Sequence, residues 1–94
     1  MKTASLPLAG EKVELAFNLA AMETLHGEYG DGYIAEILRR LNLRDPKCLR
    51  MCVEHMANKK VELSAIVKEM PVDELALKIA DAINLALTGK PTGE

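Results

Sequence analysis

The spacing of apolar residues changes character at Phe17-Asn18, and that change restricts the folds open to this chain. Before it, Ala4, Leu6 and Leu8 share one parity. Val13, Leu15 and Phe17 share the matching parity beyond Ala9-Gly10-Glu11, while Thr3, Ser5, Lys12 and Glu14 fall on the opposite side. Alternation of this kind belongs to strands with one buried face, because successive side chains leave a pleated strand in opposite directions. Gly10 supplies the turn, so a β-hairpin is expected over about residues 2–17. Pro7 suits an edge strand, since it has no N–H to give to a ladder. A lone hairpin is marginal in water, so its apolar face must rest on the rest of the chain.

Beyond Asn18, a good helix N-cap, the apolar residues recur at helical spacing. Leu19, Met22, Leu25 and Tyr29 predict a first helix over about 19–29, broken by Gly30-Asp31-Gly32. A second is expected over about 33–41, with Ile34, Ile37, Leu38 and Leu41 inward and Glu36 paired with Arg40 outside. Asp45-Pro46 is a cap followed by proline at the first helical position, and opens a third helix over about 46–58 with Leu49, Cys52, Val53 and Met56 as its stripe. A short helix over about 63–69 carries Ile66 and Val67. After Met70-Pro71, a last helix over about 71–88 presents Val72, Leu75, Ala76, Ile79, Ile83 and Ala86 on one side and stops at Gly89. Residues 89–94 read as a flexible tail. The expected fold is α+β, mostly α: an N-terminal β-hairpin packed on a bundle of four to five short helices, in one domain over 1–94.

Composition narrows the functional classes. Aromatics are 3% of the chain with no Trp, so the core must be aliphatic. At 94 residues one core forms, but a deep enclosed substrate cavity does not fit easily. The formal charge of −2 gives no global attraction to nucleic acid or to an anionic membrane, and no apolar run is long enough to span a bilayer. The start, Met1–Pro7, lacks the long apolar stretch of a secretory signal. With Cys48 and Cys52 four residues apart on one helix, where a disulfide would restrain little, two free thiols in a reducing cytoplasm are expected.

Two constellations carry possible chemistry. Cys48, Cys52 and His55 share a predicted helix and are zinc-type ligands, which would make a metal-binding or redox protein; Cys52 also sits in the apolar stripe, where a cysteine serves as small core filler. Arg39, Arg40, Arg44, Lys47 and Arg50 form the local basic cluster, which a small DNA-binding regulator would turn to phosphates, with Lys59-Lys60-Val61-Glu62-Leu63-Ser64 as the turn into a reading helix. The acidic balance of the chain argues against nucleic acid, and cations in the last turn of a helix also favour its dipole. Gly27, Gly30 and Gly32 do not match phosphate-cradling loops. No catalytic residue, cofactor site or metal site is expected, and the chain is read as a protein without enzymatic activity. What remains is protein binding: the hairpin leaves two strand edges, near Ser5 and Pro7 on the first strand, and Leu77 and Leu85 lie off the main stripe of the last helix. Edges and apolar residues of this kind favour a protein partner or a second copy of the chain.

The order of elements adds a resemblance. Val13-Glu14-Leu15-Ala16-Phe17 runs into Asn18-Leu19-Ala20-Ala21-Met22-Glu23-Thr24-Leu25 and a Tyr29-Gly30 break, and the chain closes with Met70-Pro71-Val72-Asp73-Glu74-Leu75-Ala76 and an Ala/Leu/Ile helix. In this layout the chain resembles the tail-assembly chaperones of long-tailed phages, prophages and gene-transfer agents over about residues 3–88. The resemblance implies a non-enzymatic protein that coats the long helical tape-measure protein in the host cytoplasm during tail assembly. It implies neither catalytic residues nor cofactor.

Overall fold

The computed structural model describes residues 4–8 and 11–89. Strands β1 (Ala4–Leu8) and β2 (Glu11–Leu15) pair antiparallel, with Leu6 opposite Val13 and Ser5 opposite Glu14. Five helices follow: α1 (Leu19–Tyr29), α2 (Tyr33–Asn42), α3 (Pro46–Met56), α4 (Leu63–Glu69) and α5 (Val72–Thr88). The expected hairpin-on-helices architecture is therefore present. The turn at 9–10 and the tail at 90–94 lie outside the described residues, as do Lys2 and Thr3.

The caps form as their residues dictate. The Asn18 side chain accepts from the Ala21 N–H at 2.9 Å, and Asp45 accepts from the Lys47 N–H at 3.0 Å with Pro46 beginning α3. Gly30 ends α1 with φ 85° and ψ −165°, backbone angles open essentially to glycine alone, and its N–H reaches the His26 carbonyl at 2.8 Å. The turn between α2 and α3 has no such glycine. There Arg44 takes φ 59°, a left-handed conformation that costs a side-chain-bearing residue about 1 kcal/mol or more. Its own guanidinium holds it, donating to the Leu41 and Asn42 carbonyls at 2.7 and 3.1 Å and to Asp73 at 2.7 Å. The arginine thus closes the C-terminus of α2 and ties it to the start of α5.

Leu6, Val13, Leu15 and Phe17 supply the hairpin's share of one core, whose other side is built by α3 and α5. On the opposite face of the hairpin the Ser5 hydroxyl donates to the Glu14 carboxylate, 3.2 Å from either oxygen. Two stripes differ in detail from their expected form. Leu19 is 69% exposed, and Ala21 is buried in its place beside Leu25. At 3.6 residues per turn Leu19 points about 120° away from Leu25, too far round to share a face centred there. On α5, Ala82 is buried while Ala86 and Val72 are exposed, because the inward face is centred on Leu75, Ile79 and Ile83.

The hairpin's edges differ more from expectation. The helix expected to reach residue 58 stops at Met56, and Ala57 turns to an extended conformation (φ −72°, ψ 144°) to form an antiparallel bridge with Leu15. The Ala16 N–H donates to the Met56 carbonyl at 2.9 Å, the Asn58 N–H donates to the Glu14 carbonyl at 2.9 Å, and the Glu14 N–H donates to Asn58 Oδ1 at 3.0 Å. The outer edge of β2 is therefore bonded at its Glu14–Ala16 end, where it had been expected to stand open, by residues 56–58 that leave the helix two residues early.

Candidate functional site

The basic cluster of α2 and α3 is the first of the expected sites to be placed. Arg39 holds Glu36 through two bonds of 3.1 and 2.7 Å; Arg40 reaches the same carboxylate at 2.7 Å and Asp45 at 2.8 Å, with its guanidinium 5.2 Å from the centre of the Tyr29 ring. Arg44 is paired with Asp73, and Lys47 Nζ lies 3.1 Å from Glu28. Four of the five cations are thus already matched by carboxylates. Arg50 is the exception, with no ion pair among the described residues. A phosphate backbone would find little uncompensated charge here, since affinity for it rises with the number of phosphates neutralised.

The hydrogen bonds from Arg39, then Arg40, pull the Glu36 carboxyl down to about 2 from its ordinary 4.5. Because the folded state holds this proton less tightly than the unfolded chain, the stabilisation is present above pH 4.5 and is lost as the pH falls from there towards 2. Glu36→Gln is expected to flatten that part of the acid limb in a series of urea melts; an unchanged slope between pH 4.5 and 2 would show that the network contributes nothing.

Cys48 and Cys52 are fully buried, and both remain free thiols. The Cys48 thiol lies 3.9 Å from the Ile37 carbonyl, and the Tyr29 hydroxyl lies 4.0 Å from Met51 Sδ. Hydrogen bonding from Cys52 lowers the Cys48 thiol against the opposing effect of burial, and the same contact together with burial raises Cys52. Burial, followed by its hydrogen bond with Cys48, raises the Tyr29 hydroxyl. His55, by contrast, is only half-buried. Among the described residues no group of three or more His, Cys, Asp or Glu side chains is placed to hold a metal ion, so the candidates Cys48, Cys52 and His55 are not gathered into such a group. No helix among these residues is long and apolar enough to cross a membrane.

The expected protein-binding residues fall in separate places. Leu77 is half exposed and Leu85 partly buried on α5. Ser5 faces Glu14, whose backbone groups bond outward to Asn58, so by antiparallel geometry the Ser5 groups point outward from the other side of the hairpin. Pro7 shares that parity and offers no donor, which leaves the β1 edge poorly equipped to extend a ladder.

A concave surface lies elsewhere. The bonding of the β2 edge diverts the chain after α3 into the linker 57–62, and a groove of about 920 Å³ opens between the outer side of α3, this linker and the first turn of α5. Ala57, Val61 and Val72 give it apolar surface, with the buried Leu49 and Val53 beneath, while Arg50, Glu54, Lys59, Lys60 and Glu62 stand around it. Arg44, held by Asp73, joins the α2–α3 turn to its rim. Sequence reading singled out Arg44, Arg50 and the Lys59-Lys60 segment, but for another purpose, and it missed Val61 and Val72 as partners. The only local signal was a lone valine in the polar stretch Asn58-Lys59-Lys60-Val61-Glu62. Compared with known proteins, the chain matches no protein-family model, no curated protein and no solved structure.

Proposed function

We propose that this chain is a non-enzymatic polypeptide-binding protein, which holds a helical segment of a longer partner in the groove between α3, the 57–62 linker and α5. The observation that carries this reading is the groove itself: an open concavity of about 920 Å³, with Ala57, Val61 and Val72 as its apolar surface, on a domain of 94 residues. Such surfaces suit an amphipathic helix laid apolar side down. The neutralised cluster Arg39–Lys47 favours a protein partner over DNA, and the buried thiols are better suited to packing than to metal or redox work. A tail-assembly chaperone acting on a tape-measure protein in the host cytoplasm is the form of this function that the element order resembles. Self-association through the Leu77 side of α5 is compatible with it.

Co-expression with a long helical protein of the tape-measure type, taken from the neighbouring genes, is the test. Co-purification is expected, and Val72→Asp is expected to weaken the complex by about 30-fold or more, because the charge enters an apolar contact without a partner. Asp suits the first turn of a helix, so the same variant should melt within a few degrees of the parent. A strictly monomeric chain that captures no such protein, or an undiminished complex with Val72→Asp, would overturn the reading.

A further inference from the structure

Nothing local ends α3 where it ends. The segment Ala57-Asn58-Lys59-Lys60-Val61-Glu62-Leu63 contains neither glycine nor proline, and alanine is the best helix former. The Ala57 N–H still donates to the Val53 carbonyl at 3.0 Å, as in a continuing helix, and Ala57 keeps a helical φ of −72°. The break is one torsion: ψ of Ala57 stands at 144°, where a helix has about −42°. The hairpin holds that torsion in place. The Ala16 N–H donates to the Met56 carbonyl and the Asn58 N–H to the Glu14 carbonyl, both at 2.9 Å, and the Glu14 N–H donates to Asn58 Oδ1 at 3.0 Å. The last of these uses a side chain in place of a backbone carbonyl and lies at the exposed surface. The Leu15–Ala57 bridge is isolated, with no ladder to either side. Little apolar burial stands behind these bonds, since Ala57 and Val61 are half-buried and Asn58, Lys59 and Lys60 are exposed.

We propose that residues 57–62 are a strap that gates the groove. Shut, as in this structure, the strap supplies one wall of the groove. Released, ψ of Ala57 turns to the helical value, and Asn58 joins α3 with its N–H on the Glu54 carbonyl four residues back. The wall is then withdrawn, and the Glu14 and Ala16 N–H groups face water. Met56 keeps its buried place, because the helix up to it is unchanged. The two states differ by a few solvent-facing hydrogen bonds and little buried area, which is the profile of segments that open well below global unfolding. A helix lying in the groove meets this wall only in the shut state, so it holds the strap shut. By reciprocity, whatever tightens the strap tightens binding. This last step rests on the groove reading above; the opening of the strap does not.

Amide hydrogen exchange on the full chain, followed by NMR along a urea series below the unfolding transition, reads the strap without any ligand. The Glu14 and Ala16 amides are expected to show protection of about 10²–10³ with little dependence on urea, against about 10⁴ or more with a steep dependence for Cys52 and Ile79 in the core helices. Asn58→Ala removes the side-chain acceptor and favours helix, so it should lower protection at Glu14 and Ala16 about tenfold. Asn58→Asp keeps an acceptor oxygen and should stay within about threefold of the parent. A fluorescent Leu/Gln amphipathic peptide at saturation is expected to raise protection at both amides about tenfold or more. Exchange of Glu14 and Ala16 together with Cys52 and Ile79, at the same urea slope, overturns the strap. So does equal protection in Asn58→Ala and the parent. A peptide that binds yet leaves both amides unchanged overturns the gating of the groove. A peptide that does not bind removes the groove reading, and exchange in the free chain still decides the strap.

Discussion

Phe17→Ala is expected to remove about 3–5 kcal/mol of stability, the largest loss available to a single truncation in this chain. Phe17 is the only phenylalanine in the sequence and is 1% exposed, its ring centre 6.4 Å from that of Tyr33. It lies where the hairpin passes into α1, so its truncation would leave a cavity in the core beside Tyr33 of α2. A domain of this size has roughly 5–10 kcal/mol in total, so the variant should keep only a small margin at 25 °C. Urea titration followed by circular dichroism would measure it. A loss below about 1.5 kcal/mol would mean that the aliphatic neighbours collapse into the space, and that Phe17 does not anchor the junction.

Ala16→Pro is expected to cost about 2–4 kcal/mol, although the side chain itself gains atoms. The Ala16 N–H donates to the Met56 carbonyl at 2.9 Å, and proline would remove that donor and leave the carbonyl without its partner. Ala16→Gly keeps the N–H and should cost no more than about 1 kcal/mol, which separates loss of the bond from disturbance of the backbone. The effect should reach the groove, because the bonds from Glu14 and Ala16 to Met56 and Asn58 set where the linker leaves α3. Weaker peptide binding by Ala16→Pro than by Ala16→Gly, measured well below the unfolding transition, is the expected companion result. Indistinguishable stabilities for the two variants would show that the bridge is incidental.

These two residues also show where reading the chain alone succeeds. Phe17 belongs to a parity shared with Val13 and Leu15, and that alternation is visible in the letters and places all three in the core. Ala16 has no such signal. Its bond partner lies 40 positions further on, across the whole of α1, α2 and α3. Leu19 was misplaced for a related reason: a stripe counted from one end of a helix does not reveal which residue the neighbouring elements will take as its centre, and here that residue is Leu25.

By itself, then, the sequence determined whatever depends on neighbours within a few positions. Alternation and helical spacing set the order and number of the elements, Asn18, Asp45-Pro46, Gly30 and Gly89 set their ends, and the scarcity of aromatics set an aliphatic core. Tertiary structure alone decided what depends on distant groups meeting: the bonding of the β2 edge by Met56–Asn58, the pairing of Arg44 with Asp73, and the groove between α3, the 57–62 linker and α5. Hydrogen bonds and ion pairs act only over a few ångströms, so residues far apart in the chain acquire these roles only once the helices have packed.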